Sequence, residues 1–176
     1  KGEPVPATAR GKAAGVEAAP KSKAPAKGPA KKAEDEEPDV EHMTMASALL
    51  MAEHGASIVI GDIDIDGANE TVAQIVAAGG TALAIKTDVT QEADIAALVA
   101  QAVDFLGGID VGFFNAGIQR SGRVDEFPVE EWDALFTVNP RHAFLMAKHT
   151  TPHLRAAGGG SLVLTSSIAA VKGGPG

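Results

Sequence analysis

The chain has 176 residues, with 15 Lys and Arg against 23 Asp and Glu, a formal net charge of −8, and neither cysteine nor tyrosine. That length suits one domain with a buried core, and the missing cysteines remove disulfides, thiolate nucleophiles and cysteine-held metal clusters, which fits a reducing, cytoplasmic setting. The missing tyrosines exclude a phenol as general acid, the acidic balance speaks against nucleic acid as the main partner, no apolar run nears the roughly 20 residues of a membrane span, and no leader of signal-peptide type opens the chain.

Residues 1–42 differ in composition from residues 43–176. Lys1 to Ala33 is built mainly of Lys, Ala, Pro and Gly, with no Leu, Ile, Phe or Trp. Such a stretch buries too little apolar area to offset its ordering entropy. Glu34, Asp35, Glu36, Glu37, Asp39 and Glu41 follow, and nearly cancel the basic block. The segment reads as a disordered arm. A lysine-rich arm could touch phosphates, but the neighbouring acids oppose polyanion binding.

Residues 43–176 carry an α/β pattern. Met45 to Glu53 predicts an apolar helix, and Ser57–Gly61 a first strand. Ala68, Val72, Ile75 and Val76 recur at helical spacing, closed by Gly79-Gly80. Thr81–Ile85 is a second strand. Thr90 suits an N-cap, ahead of a stripe of Ile95, Leu98, Val99 and Ala102 that ends at Gly107-Gly108. Ile109–Phe114 is a third strand. One long helix is expected from near Pro128 to about Ala156, with Trp132, Leu135 and Phe136 on its inner face. Gly158-Gly159-Gly160 breaks it, and Ser161–Thr165 is a fourth strand. Strands alternating with such helices predict crossover units and a parallel sheet with helices on both faces.

Most short motifs have a plain structural reading. Asp62, at the end of the first strand, could accept hydrogen bonds from an adenosine ribose, but an acid there also caps helices. Asp62, Asp64, Asp66 and Gly67 copy the start of a calcium loop, yet its twelfth position is Ala73 rather than Glu. The triple glycine closes a helix and opens a strand, the reverse of a phosphate cradle. His149 and His153 are four apart without a following Glu and with Pro152 between them, so no metal is expected. Ser166 and Ser167 lack the glycines of a nucleophile elbow.

Taken together, the signatures of residues 44–176 resemble the short-chain dehydrogenase/reductase family. Thr44 to Ala56 is similar to its first helix, Ile60-Gly61-Asp62-Ile63-Asp64 to its second strand and acid, and Thr87-Asp88-Val89-Thr90 to its adenine-contacting turn. Phe114-Asn115-Ala116-Gly117 resembles its Asn-Asn-Ala-Gly with the first Asn replaced. Val138-Asn139 resembles its helix Asn, and Leu164-Thr165-Ser166-Ser167 the strand that presents its active-site Ser.

The resemblance implies an α/β, Rossmann-like doubly wound parallel sheet, here incomplete with about four strands, and hydride transfer between NAD(P) and a small alcohol or carbonyl substrate. By the same resemblance Asp62 and Ile63 would meet the adenine ribose and favour NAD over NADP. Asp88 and Val89 would bracket the adenine, and Asn115, Ala116 and Gly117 would line the cofactor cleft. Ser167 would hydrogen-bond the substrate oxygen, and Asn139 would hold a water of the proton relay. Members are often homotetramers, but the full interface is absent here.

Departures from the family set the remaining expectations. Its opening strand and Thr-Gly-x-x-x-Gly-x-Gly loop, which seat the pyrophosphate, have no counterpart, since no glycine lies between Gly28 and Gly55. The family's first strand is central, so its loss removes the bridge between two halves of the sheet. The Tyr and Lys that follow the Ser in the family are also missing, which predicts a truncated chain without turnover and with weak or no NAD binding. Pro140 and His142 stand where the family has other residues, and Pro140 predicts a kink near Asn139. Two alternatives are a non-catalytic interaction protein with a basic arm and a non-functional gene fragment.

Overall fold

The computed structural model describes residues 40–167, with side chains from Thr44 onward. The expected arm lies almost wholly outside the described residues, as does everything after Ser167. In chain order the elements are α1 (Val40–Glu53), β1 (Ile58–Asp62), α2 (Ile65–Ala77), β2 (Ala82–Lys86), α3 (Glu92–Leu106) and β3 (Val111–Phe114). α4 (Val129–Phe136), a π-helical turn (Thr137–Arg141), α5 (His142–Ala156) and β4 (Ser161–Leu164) follow.

The four strands form two parallel ladders rather than one sheet. β1 pairs with β2, with Ile58 opposite Ala82 and Asp62 opposite Lys86. β3 pairs with β4, with Val111 opposite Ser161 and Phe114 opposite Leu164. Among the described residues no ladder joins the two pairs. This is the divided sheet that loss of a central strand predicts.

Helices cover both faces, as alternation along the strands requires. Ile58 and Ile60 of β1 pack with Ala48 of α1 and with Ala68 and Ile75 of α2. Val59, between them, faces the other way and packs with Val99 and Ala102 of α3, Ile109 and Leu154 of α5. Leu162 of β4 joins that second cluster, so one helix layer spans both ladders. Gly61 permits the close approach of α3, because a Cβ there would lie 2.5 Å from Leu98 Cδ2. Gly160 is as constrained, since its Cβ would meet the Asp110 carbonyl oxygen at 2.5 Å.

Four expectations change. α1 starts at Val40, ahead of Met45, so the helix takes in residues whose acidic neighbours read as arm. Thr90 is not the cap of α3: Gln91 holds that position, and Thr90 turns back to Asp88. The long helix is divided by the π-helical turn, which contains Pro140. Proline supplies no N–H to the helical ladder, and a wider turn tolerates that gap. Trp132 and Phe136 are not on an inner face but half exposed, stacked on each other with ring centroids 4.5 Å apart.

Candidate active site

In open α/β folds, ligands bind beyond the carboxyl ends of the strands. Of the residues that the resemblance implies for cofactor and substrate, all but Asn139 lie at or just past such an end. Asp62 closes β1. Its Oδ1 accepts the Asp64 N–H at 2.9 Å, and Asp64 in turn accepts the Asp66 N–H at 3.2 Å, opening α2. Ile63 beside it is 64% exposed and contributes an open apolar surface. The three acids thus form successive local turns, and no group of three or more metal-ligating side chains gathers among the described residues.

Asp88 and Val89 follow β2. Asp88 Oδ1 accepts the Thr90 hydroxyl at 2.7 Å and the Thr90 N–H at 2.9 Å. These two bonds stabilise the charged form and hold the carboxyl below its ordinary value. The Asp88 N–H donates to Asp94 Oδ2 at 3.0 Å, tying the turn to α3. Buried Thr87 donates its N–H to the Asp62 carbonyl at 2.8 Å, so the ends of β1 and β2 are fixed together.

Asn115 follows β3 and is 7% exposed. Its Nδ2 donates to Thr44 Oγ1 of α1 at 2.8 Å, and its Oδ1 accepts from Thr165 Oγ1 at 2.6 Å. One buried amide therefore links α1, β3 and the residue after β4. Thr44 and Thr165 were visible only as parts of motifs, and no sequence signal pairs residues so far apart. Ala116 and Gly117 are exposed beyond it.

Asn139 lies in the π-helical turn. Its Oδ1 accepts the Ile118 N–H and its Nδ2 donates to the Ile118 carbonyl, both at 2.9 Å. The Asn139 side chain thereby clasps the loop after β3, because the wide turn brings its amide to that backbone. Gly117 lies under this clasp, 3.3 Å from Asn139 Oδ1 at its Cβ position. Ser167 is exposed two residues past Thr165. Two open cavities, of about 360 and 570 Å³, lie elsewhere: one along Arg120–Glu131, the other between the ends of α1 and α2. Neither touches a strand's carboxyl end, so neither is the candidate site.

A family profile described as Enoyl-(Acyl carrier protein) reductase matches residues 42–176. Cyclohexanol dehydrogenase of Acinetobacter sp. (strain SE19) is 37% identical over 129 residues, which is 73% of this chain and 51% of that protein. The 2,5-dichloro-2,5-cyclohexadiene-1,4-diol dehydrogenase LinX of Sphingobium indicum is 40% identical over 123 residues, 70% of this chain and 49% of that protein. The solved structure of 7 alpha-hydroxysteroid dehydrogenase complexed with NADH and 7-oxo glycochenodeoxycholic acid superposes with a TM-score of 0.70 at 31% identity. It covers 72% of this chain and 49% of that one. The chain belongs to the short-chain dehydrogenase/reductase family. It spans about half the length of the relatives it matches.

The residues present match only part of a nicotinamide dinucleotide. Asp62 and the Asp88 turn offer acceptors and a fixed edge for an adenosine. Among the described residues no glycine-rich loop is placed to cradle a diphosphate: α1 runs from Val40 to Glu53 without a glycine. A helix start without glycine does not admit the close backbone approach that a diphosphate needs. These residues do not fit the diphosphate.

Proposed function

We propose that this chain carries the cofactor-side strands of a dehydrogenase/reductase whose whole form transfers a hydride between NAD and a cyclic or secondary alcohol. The observation that carries the reading is the gathering of Asp62, Asp88, Asn115 and Thr165 at the carboxyl ends of all four strands, in a chain that belongs to this family. The names of two relatives, a cyclohexanol and a cyclohexadienediol dehydrogenase, support a ring alcohol as the substrate class. Asp62 supports NAD over NADP, because a carboxylate repels a 2′-phosphate and accepts from a 2′-hydroxyl. Ser167 would donate to the substrate oxygen, and Asn139 would hold the loop that carries Gly117 and Ile118.

Acting alone, the chain does not turn over. A chain with no tyrosine has no phenol to move the alcohol proton, and the missing diphosphate cradle leaves NAD loosely held. The test is an assay of the purified chain with NAD and a panel including cyclohexanol, followed by nicotinamide absorbance. No NADH forms on this reading; sustained, enzyme-proportional NADH formation overturns it.

A further inference from the structure

We infer that the cleft between the C-terminal ends of α1 and α2 binds a small alkylammonium ion. It lies at the amino ends of β1 and β2, opposite the candidate active site, and is independent of the nicotinamide reading. Its volume of about 570 Å³ is in the range of small-molecule sites. α1 and α2 pack on the same side of β1, with Ala48 of one and Ala68 and Ile75 of the other against Ile58 and Ile60. Each helix leads by a short loop into a strand of one parallel ladder, so the two run the same way and end at the same edge.

The two helix ends have the same form. In α1 the Ala56 N–H donates to the Met51 carbonyl at 3.0 Å, and the Gly55 N–H to the Ala52 carbonyl at 2.9 Å. In α2 the Gly80 N–H donates to the Ile75 carbonyl and the Gly79 N–H to the Val76 carbonyl, both at 2.9 Å. These are Schellman motifs, and Gly55 and Gly79 take the positive φ that the motif needs, at 90° and 88°. Such an ending leaves the last carbonyls outside the ladder. Those of Glu53, His54, Ala77 and Ala78 accept no backbone N–H among the described residues, and Glu53 and Ala78 line the cleft.

The charge at this edge is one-sided. A helix C-terminus carries about half a negative charge, and two side by side add. Neither last turn contains a basic residue. Among the described residues, Glu53 is the only ionisable side chain of the lining, and it has no hydrogen-bond or ion-pair partner. His54 beside it is exposed and does not line the cleft. The floor is apolar, made by Leu49, Ala52 and the fully buried Ile75. Gly80 is pressed onto that floor, since its Cβ would lie 2.7 Å from Ile75 Cγ2 and 3.8 Å from Ala52 Cβ. Apolar ground beside carbonyls and a carboxylate suits a cation on an alkyl stem: the methylenes cover the floor and the ammonium donates to the oxygens. One carboxylate is too few for a divalent metal ion, and no group of three or more ligating side chains gathers among the described residues.

The test is an NMR titration of the isotope-labelled chain with n-pentylammonium chloride at neutral pH. Its controls are n-pentanol, which has the same stem without the charge, and sodium chloride at equal concentration. The amides of Gly55, Ser57, Gly79 and Thr81 shift saturably with the ammonium, and the alcohol binds about tenfold more weakly. Glu53→Gln, an exposed substitution, weakens the ammonium about threefold and leaves the alcohol as it was. Unshifted amides overturn the inference, as does an alcohol that binds as well as the ammonium or a Glu53→Gln chain that binds the ammonium as tightly as the parent. Shifts that sodium chloride reproduces, or that are as large around Asp64 and Glu131, mean diffuse counterion attraction and overturn it too.

Discussion

Gly61 shows how one hydrogen atom positions a site. Its missing Cβ admits Leu98, which seats α3 against the end of β1, one residue before Asp62. Gly61→Ala forces Leu98 aside, and we expect it to cost about 1–3 kcal/mol of unfolding free energy in urea. Asp88 gives a prediction about charge. The Thr90 hydroxyl and N–H hold its carboxyl below the ordinary value in the folded state. A depressed folded-state pKa stabilises the fold above the unfolded value, and that contribution is lost as pH falls through the folded one. Thr90→Val removes the larger cause, so the Asp88 carboxyl titration followed by NMR moves upward, toward ordinary Asp. An unmoved titration would show that Thr90 does not set this charge. Asp62 was legible because it ends a short apolar strand, and Asp88 through the resemblance of Thr87–Thr90 to the family's turn after the second strand. The linkage of Asn115 to Thr44 and Thr165 was not, because its partners lie 71 and 50 residues away.

At the scale of elements, the apolar runs located all four strands to within a residue or two, and glycines marked the helix ends. Gly79 and Gly107 both take positive φ there, at 88° and 76°. The region from Pro128 to Ala156 was legible as helix but not as a divided one. Pro140 lies within the π-helical turn that aims the Asn139 amide at Ile118. Trp132 and Phe136 are half exposed and pack on each other, an arrangement that a helical stripe does not distinguish from a core face. α5 contains a second proline, Pro152, at an exposed position inside regular helix. Pro152→Ala restores a donor to the Lys148 carbonyl. We expect a rise in unfolding free energy of about 1–3 kcal/mol, and a lower urea midpoint would contradict it. α5 is also tied to α3 at Glu92, whose Oε1 lies 2.7 Å from Lys148 Nζ as an ion pair and is hydrogen-bonded to His149 Nε2 at 3.1 Å. Lys148, more than His149, lowers the Glu92 carboxyl. Lys148→Ala raises the Glu92 titration measured by NMR, with little change in stability because the pair is exposed.

For the whole molecule, the sequence pattern predicted a parallel α/β fold with helices on both faces, and the two clusters around Val59 and Ile60 bear this out. The family resemblance, not the pattern, implied a sheet without its bridge, which among the described residues appears as two ladders. The start of α1 was less legible, since a run of acids and one proline reads equally as a solvated tail. The functional account rests on an asymmetry along the cofactor: acceptors for an adenosine at the ends of β1 and β2, and a glycine-free α1 where a diphosphate needs backbone amides. The most direct measurement is a pair of NMR titrations of the chain, with adenosine 5′-monophosphate and with NAD, following the amides of Asp62, Ile63 and Asp88. The account predicts shifts at these residues with similar, millimolar-range dissociation constants for both ligands, because the rest of NAD finds no added partner. An NAD affinity more than about tenfold above that of the monophosphate would mean that the diphosphate is held after all, and would contradict it.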